Sequence, residues 1–162
     1  MKSFMKMIVL VVIVVAGYFG FKMIAGEGAA KIVRMTPGGM MGNCHCWVTF
    51  KFGKPPEGIN AKDVKIVFEG APMARTTEFG WDFIAKNARV KGQGPQGRVA
   101  APNVSAGNAP PMDMEFDVDF PLDAKTSMMS DESFDVTATI YWGGRKQDSA
   151  MAEFRYLYKA VL

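Results

Sequence analysis

Residues 43–52 read NCHCWVTFKF, and apolar or small side chains occupy every second position of this stretch. These positions hold Cys44, Cys46, Val48, Phe50 and Phe52. Because successive side chains on a β-strand point to opposite sides of its sheet, all five would lie on one face. The stretch therefore predicts a half-buried strand with that face against a core.

The same alternation recurs downstream, with Gly, Pro, Asn and Asp turn signals between many of the segments. Strands are predicted near residues 31–35, 43–52, 64–69, 79–85, 112–120, 134–142 and 150–158. Gly143-Gly144 marks the turn between the last two. No segment after residue 30 shows a helical period. About seven short strands are typical of an all-β, immunoglobulin-like β-sandwich, which is the fold predicted for residues 31–162.

The first 25 residues predict a membrane anchor. A short basic lead, MKSFMK, precedes residues 7–25, which are apolar apart from Lys22. A helix of this length spans about 28 Å, close to the roughly 30 Å of a bilayer's hydrocarbon core. Residues 26–30 would form a linker. The alternative is a signal peptide cleaved near residues 28–30, but cleaved signals usually have a shorter apolar core of about 7–15 residues.

The basic residues on either side of the apolar segment bear on which way the anchor crosses the membrane. Lysine and arginine residues occur on both sides of the apolar segment, so the positive-inside rule barely distinguishes the two orientations. The basic lead favours a cytoplasmic N-terminus. The prediction is thus a single-pass protein of the cell inner membrane, an uncleaved signal-anchor whose C-terminal domain is periplasmic.

One long connection, residues 87–111, is rich in Gly, Pro, Ala and Asn and has almost no large apolar side chain. Connections of this length are generally functional or disordered. Val99 and Ala100 could add a short edge strand within it. Arg89, Lys91 and Arg98 make the segment locally basic. We expect a mobile surface loop that is also a candidate for contacts with a partner.

Two cysteines flank the single histidine of the chain. The alternation puts Cys44 and Cys46 on the core face and His45 on the opposite face, so one metal ion cannot readily bind all three. Buried thiols that pack as small apolar groups are the first prediction. Two alternatives stay open: a Cu(I) site formed by both thiolates with Met40 and Met41, and a strained disulfide between the cysteines.

Four carboxylates share the outward face of the strand at 112–120. They are Asp113, Glu115, Asp117 and Asp119. Such a row could attract Ca²⁺ or a basic partner. Alternate residues of a strand are about 6.6 Å apart, however, so a straight strand does not wrap its carboxylates around one ion. We expect a solvated face with lysine or arginine on the neighbouring strands.

The composition narrows the class of function. The net charge of +3 does not indicate a nucleic-acid-binding protein. No nucleophile elbow, phosphate-binding loop or HExxH motif is present, so the chain is not predicted to be an enzyme or to hold a cofactor.

Trp47 and Tyr141 are predicted on outward strand faces, where aromatic residues can mark a binding surface. The prediction is a non-catalytic accessory or assembly subunit of a larger membrane complex. The alternative is a membrane-tethered copper-binding protein.

Overall fold

The computed structural model describes residues 28–40, 43–70, 76–93, 99–122 and 133–155. These ranges contain eight strands and one helix. The elements are β1 (Ala30–Met40), β2 (Asn43–Phe52), β3 (Val64–Glu69), β4 (Thr77–Gly80), α1 (Trp81–Asn87), β5 (Ala88–Val90), β6 (Glu115–Leu122), β7 (Ser133–Trp142) and β8 (Arg145–Arg155). The predicted all-β class is therefore confirmed.

The predicted anchor at 1–25 lies outside the described residues. The part of the chain that is described has no helix of the length and apolarity needed to cross a bilayer.

The strands form two four-stranded antiparallel sheets. Sheet A has the order β1-β2-β6-β5, and sheet B has the order β4-β3-β7-β8. In sheet A, Val48 lies opposite Val118, and in sheet B, Ile66 lies opposite Ile140. All four side chains are fully buried, so the register of each sheet places its apolar positions on one shared face.

The buried faces of the two sheets meet in one aromatic core. The rings of Phe52 and Trp142 join the sheets with centroids 5.6 Å apart, and those of Phe68 and Phe120 do so at 5.1 Å. The core face predicted for residues 43–52 is confirmed, since all five of its side chains are at most 3 % exposed. Aromatic pairs at these separations add to the free energy gained by burial.

The predicted strand at 79–85 is wrong beyond Gly80, where α1 begins. The buried residues of this helix are Trp81, Ile84 and Ala85, which recur at the spacing of one helical face. The apparent alternation arose because the end of β4 and the start of α1 both direct aromatic rings into the core. Phe79 and Phe83 illustrate this, with ring centroids 4.5 Å apart.

The strand predicted at 112–120 begins later than expected, at Glu115. Asp113 has a left-handed backbone with φ of 56°, and its N–H donates to the Phe52 carbonyl over 2.7 Å. This residue interrupts the strand, and Met112 is consequently 62 % exposed instead of buried. The predicted last strand is confirmed as far as residue 155. Residues 156–158 lie outside the described ranges.

The described part of the connection at 87–111 contains regular structure at its start. Its first residues form β5, and an isolated bridge joins Arg89 to Ala100, where a short edge strand was predicted. Farther along, the Trp81 indole donates to the Asn108 carbonyl over 2.8 Å, and Ala101 is 6 % exposed. Residues 88–90 and 99–101 therefore pair with each other beside the sheet, while the mobility of the connection stays a prediction.

Side chains of β8 cover the outer edge of β1. The Ile32 N–H donates to Asp148 Oδ2 over 2.8 Å, and the Ala29 N–H donates to Gln147 Oε1 over 2.9 Å. A β-bulge between Ile32 and Arg34 accompanies these contacts. Edge strands otherwise present unpaired backbone groups to other chains. These contacts therefore satisfy two backbone N–H groups at the start of β1 and hold that end of the strand against β8.

Candidate functional site

The outer face of sheet A carries most of the polar residues that the sequence singled out. On β2 this face holds His45, Trp47, Thr49 and Lys51, and on β6 it holds Glu115, Asp117 and Asp119. The register places Trp47 opposite Asp119, Thr49 opposite Asp117, and Lys51 opposite Glu115. A basic and aromatic column thus lies directly beside an acidic column, which allows contacts across the strands.

His45 and Asp119 form a side-chain clamp across the two strands. The imidazole Nδ1 lies 3.0 Å from Asp119 Oδ2 and 3.1 Å from Oδ1. The side chains are 36 % and 34 % exposed, respectively. The other ring nitrogen points away from Asp119 and can hydrogen-bond to another group. The clamp therefore presents an imidazole of fixed orientation at the surface.

Trp47 lies next to this clamp and is half-buried. Its neighbours across the strands are Thr36 on β1 and Asp119 on β6. A Cβ added at Gly38 would meet the indole Cδ1 at 3.9 Å, so the small residues of β1 leave room for the ring. Tyr141 is on the outer face of sheet B, with Lys65 Nζ 5.9 Å from its ring centroid. The two aromatic residues predicted to contact a partner therefore belong to different surfaces.

Asp117 is the exception in the acidic row, because it is only 9 % exposed. It accepts a hydrogen bond from Thr49 Oγ1 over 2.7 Å and another from the Gly92 N–H over 2.9 Å. The expectation of a solvated carboxylate is wrong at this position, since the turn after β5 closes over it. Asp117 thus ties β2, β6 and that turn together.

We expect the Asp117→Ala substitution to lower the free energy of unfolding by about 2–3 kcal/mol. Removing the carboxylate leaves the Thr49 hydroxyl and the Gly92 N–H without their acceptor in a site of little water access. Urea unfolding of the full-length chain measures the change. Asp135→Ala is the matched control because Asp135 is an exposed carboxylate on a strand, and it should cost less than about 0.5 kcal/mol. Equal losses in both variants would contradict the structural role.

Two other carboxylates of the acidic row pair with lysine residues. Lys91 Nζ forms an ion pair with Glu115 Oε2, and Lys51 Nζ lies 3.5 Å from Asp113 Oδ1. Arg89 Nη1 donates to the carbonyls of Ala88 and Lys86, over 3.0 Å and 3.3 Å. Cationic groups commonly bind the carbonyls that end a helix. Two of the three basic residues proposed for partner contacts therefore serve internal contacts, and Arg98 lies outside the described residues.

Both cysteines are thiols in the core, so the alternative of a disulfide between them is not realised. Cys44 is 3 % exposed and Cys46 is fully buried, while His45 faces the other side. Burial, reinforced by the negative charge of Asp119, raises the pKa of the Cys46 thiol to about 12. The thiolate is the form that binds metal.

The proposed copper ligands are only partly described. Met40 ends β1, but its side chain lies outside the described part of the structure, as does Met41. Within the described ranges, no cluster of three or more His, Cys, Asp or Glu residues could hold a metal ion. The copper site stays a prediction from the sequence.

No family model matches the sequence, and no curated protein matches it significantly. The function of this chain therefore has to be argued from its own residues. The clamp between His45 and Asp119 was not predicted from the sequence, because it depends on the register of β2 against β6. A signal was nevertheless present, because one predicted strand face carried basic groups and another carried acidic groups.

Proposed function

We propose that the chain is a membrane-anchored, non-catalytic accessory or assembly subunit of a larger membrane protein complex. Residues 7–25 would cross the cell inner membrane once, and the β domain would contact the partner on the periplasmic side. The apolar character of residues 7–25 supports the anchor. The described domain begins almost at once after this segment, because Ala30 is already fully buried in β1. A domain so close to the anchor would stay beside the membrane.

The strand order supports an immunoglobulin-like assignment for the domain. In sequence order, the eight strands correspond to A, B, C, C′, D, E, F and G of that fold. Sheet A then has the order A-B-E-D, and sheet B has the order C′-C-F-G. Such sandwiches occur in many cell-surface proteins, but a fold by itself does not define a function. A binding role therefore has to be supported by residues on the surface of the domain.

The observation that carries the proposal is the Trp47 patch, formed by Trp47, Thr36, Gly38 and the His45–Asp119 clamp. Tryptophan is enriched among the residues that dominate the energy of protein interfaces, because its large ring is held by few rotatable bonds. The half-buried indole supplies the apolar centre of the patch. The clamp beside it supplies a polar rim, the arrangement typical of binding surfaces. The patch suits a protein partner with an apolar pocket and a nearby hydrogen-bonding group.

Two side chains of types that can act as nucleophiles have structural roles in this domain. The Thr49 hydroxyl is committed to Asp117, and the raised pKa keeps the Cys46 thiol protonated at neutral pH. A protonated, buried thiol is a poor nucleophile. This use of the reactive side chains favours binding over catalysis.

We expect Trp47→Ala to weaken the complex with its partner about 30-fold or more, the effect of losing a central interface residue. The full-length chain, tagged and expressed in its own host, is extracted in mild detergent, and co-purified proteins are quantified. Met151→Ala is the control because it removes an exposed apolar side chain from the other sheet and should leave recovery unchanged. A protein that is always recovered alone, or a partner retained by both variants, would contradict the proposal.

A further inference from the structure

The three tryptophans of the chain differ in what their indole N–H groups bind. Trp81 donates to the Asn108 carbonyl over 2.8 Å, and Trp142 donates to the Asn60 carbonyl over 3.3 Å. Within the described part of the chain, the N–H of the half-buried Trp47 has no such acceptor. Because a buried indole N–H usually finds a hydrogen-bond partner, this donor would need one from a bound molecule.

Arg34 is a second donor beside the Trp47 patch. It lies on β1 opposite Thr49, and Thr36 of the same strand lies opposite Trp47. Arg34 and Trp47 are thus diagonal neighbours on the outer face of sheet A, about 7–8 Å apart and within reach of a long side chain. The β-bulge between Ile32 and Arg34 re-aims the strand at this point, and the arginine is exposed.

The other charged side chains of this face already have partners. The carboxylates that the described residues place here pair as Asp119 with His45, Asp117 with Thr49 and Gly92, Glu115 with Lys91, and Asp113 with Lys51. Arg89 donates to two backbone carbonyls, and Lys31 has a contact of its own. Among the described residues of this face, Arg34 is therefore the charged side chain that is left without an ion pair or hydrogen bond.

The buried Asp117 does not act as the partner of Arg34. It is on β6, two strands away from β1, and two strand spacings amount to about 10 Å. Arg89 lies directly opposite Asp117 on β5 and is the closer cation. The sheet thus has an unpaired positive charge on the β1 side of Trp47 and its acidic column on the β6 side.

The indole N–H of Trp47 is on the β1 side as well. A Cβ added at Gly38 of β1 would lie 3.9 Å from the indole Cδ1, and the ring nitrogen is bonded to this carbon. A molecule that approaches over β1 would therefore meet two donors, the indole N–H and the Arg34 guanidinium. Guanidinium groups match carboxylates in geometry, since two parallel N–H groups can donate to the two oxygens.

An extended partner cannot readily add a strand along β1. Pro37 lies within this edge strand and has no N–H to donate, and the bulge between Ile32 and Arg34 interrupts the edge farther back. Prolines and bulges protect edge strands from pairing with other chains. Recognition at this position would therefore depend on side chains of the outer face.

We propose that the partner of the Trp47 patch presents an acidic segment, in which an aspartate or glutamate carboxylate pairs with Arg34 and an adjacent apolar side chain packs on the Trp47 ring. The inference rests on the proposed binding role of this patch and adds the chemistry of the partner.

The test uses random linear peptides displayed on phage and selected on the full-length chain in an uncharged detergent. We expect the recovered peptides to be enriched in aspartate or glutamate beside an apolar residue. A synthetic copy of the most enriched peptide should bind Arg34→Gln about tenfold more weakly than the original chain in fluorescence anisotropy, the loss expected for one charge-assisted contact. Arg145→Gln is the matched control, because Arg145 is an exposed arginine on sheet B and should leave binding unchanged.

A charge reversal acts in the opposite direction. Selection on Arg34→Glu should enrich lysine and arginine instead of acidic residues, and the side chain is exposed, so the substitution spares the core. Added salt should weaken binding of the acidic peptide to the original chain more than to Arg34→Gln. The proposal would be overturned by peptides of the same composition from the original chain and Arg34→Glu, or by a selection that enriches no acidic peptide.

The binding role of the patch and the acidic contact fail in different experiments. A partner that co-purifies equally with the original chain and Trp47→Ala would overturn the binding role. A partner lost from Trp47→Ala but recovered from Arg34→Gln at the level of the original chain would overturn the acidic contact alone.

Discussion

Raising the pH above 9 should destabilise the folded domain through Cys46, by about 1.4 kcal/mol for each pH unit. Burial raises the pKa of this thiol from its ordinary value of 9.0 to about 12 in the folded protein. Below pH 9 both the folded and the unfolded chain keep the proton, so Cys46 adds no pH dependence there. Between pH 9 and 12 only the unfolded chain releases it, and the free energy of unfolding therefore falls.

Urea unfolding of the full-length chain at pH 9, 10 and 11 measures this slope. Lysine and tyrosine residues also titrate in this range, so the informative quantity is the difference between the original chain and Cys46→Ala. By pH 11 the original chain should have lost about 2.3 kcal/mol more than the variant, relative to pH 9. Val48→Ala is the control, because it truncates a fully buried neighbour on the same strand face without removing a titrating group. If Cys46→Ala keeps the slope, the thiol does not cause it.

The strands that could be predicted are those with one face in the core and the other toward solvent. In β2, for example, the fully buried Phe50 and Phe52 flank Lys51, whose side chain is 42 % exposed. This physical asymmetry is what alternation encodes in a sequence. The strand prediction for residues 79–85 was wrong because aromatic residues at alternate positions produced the same alternation. The helical spacing of Trp81, Ile84 and Ala85 extends over only seven residues, too few to dominate the pattern.

Features that depend on pairing between distant segments could not be predicted. His45 and Asp119 are 74 positions apart, and their contact follows from the register of β2 on β6. Lys31 and Lys51 meet for the same reason, through the register of β1 on β2. The sequence indicates which face each residue takes but not which strand lies beside it. The burial of Asp117 likewise depends on a turn from another strand.

The second large effect is expected at Phe120, where Phe120→Ala should lower the free energy of unfolding by about 3–5 kcal/mol. The ring is fully buried and joins sheet A to sheet B and to α1. Its centroid lies 5.1 Å from both Phe68 and Phe79, 5.7 Å from Phe83 and 5.9 Å from Phe50. These rings come from four different elements, so no single movement can fill the cavity that the substitution leaves.

The loss would be a large part of the roughly 5–15 kcal/mol that stabilises a typical domain. Urea unfolding of the full-length chain measures it, with Met151→Ala as the control, since Met151 is 67 % exposed and should cost less than about 0.5 kcal/mol.

Phe120 also lies directly opposite Cys46. The cavity should therefore admit water and iodoacetamide to the thiol, and alkylation of Cys46 at pH 8 should be faster in Phe120→Ala than in the original chain. A small stability loss together with unchanged alkylation would show that the aromatic cluster is not the centre of the core.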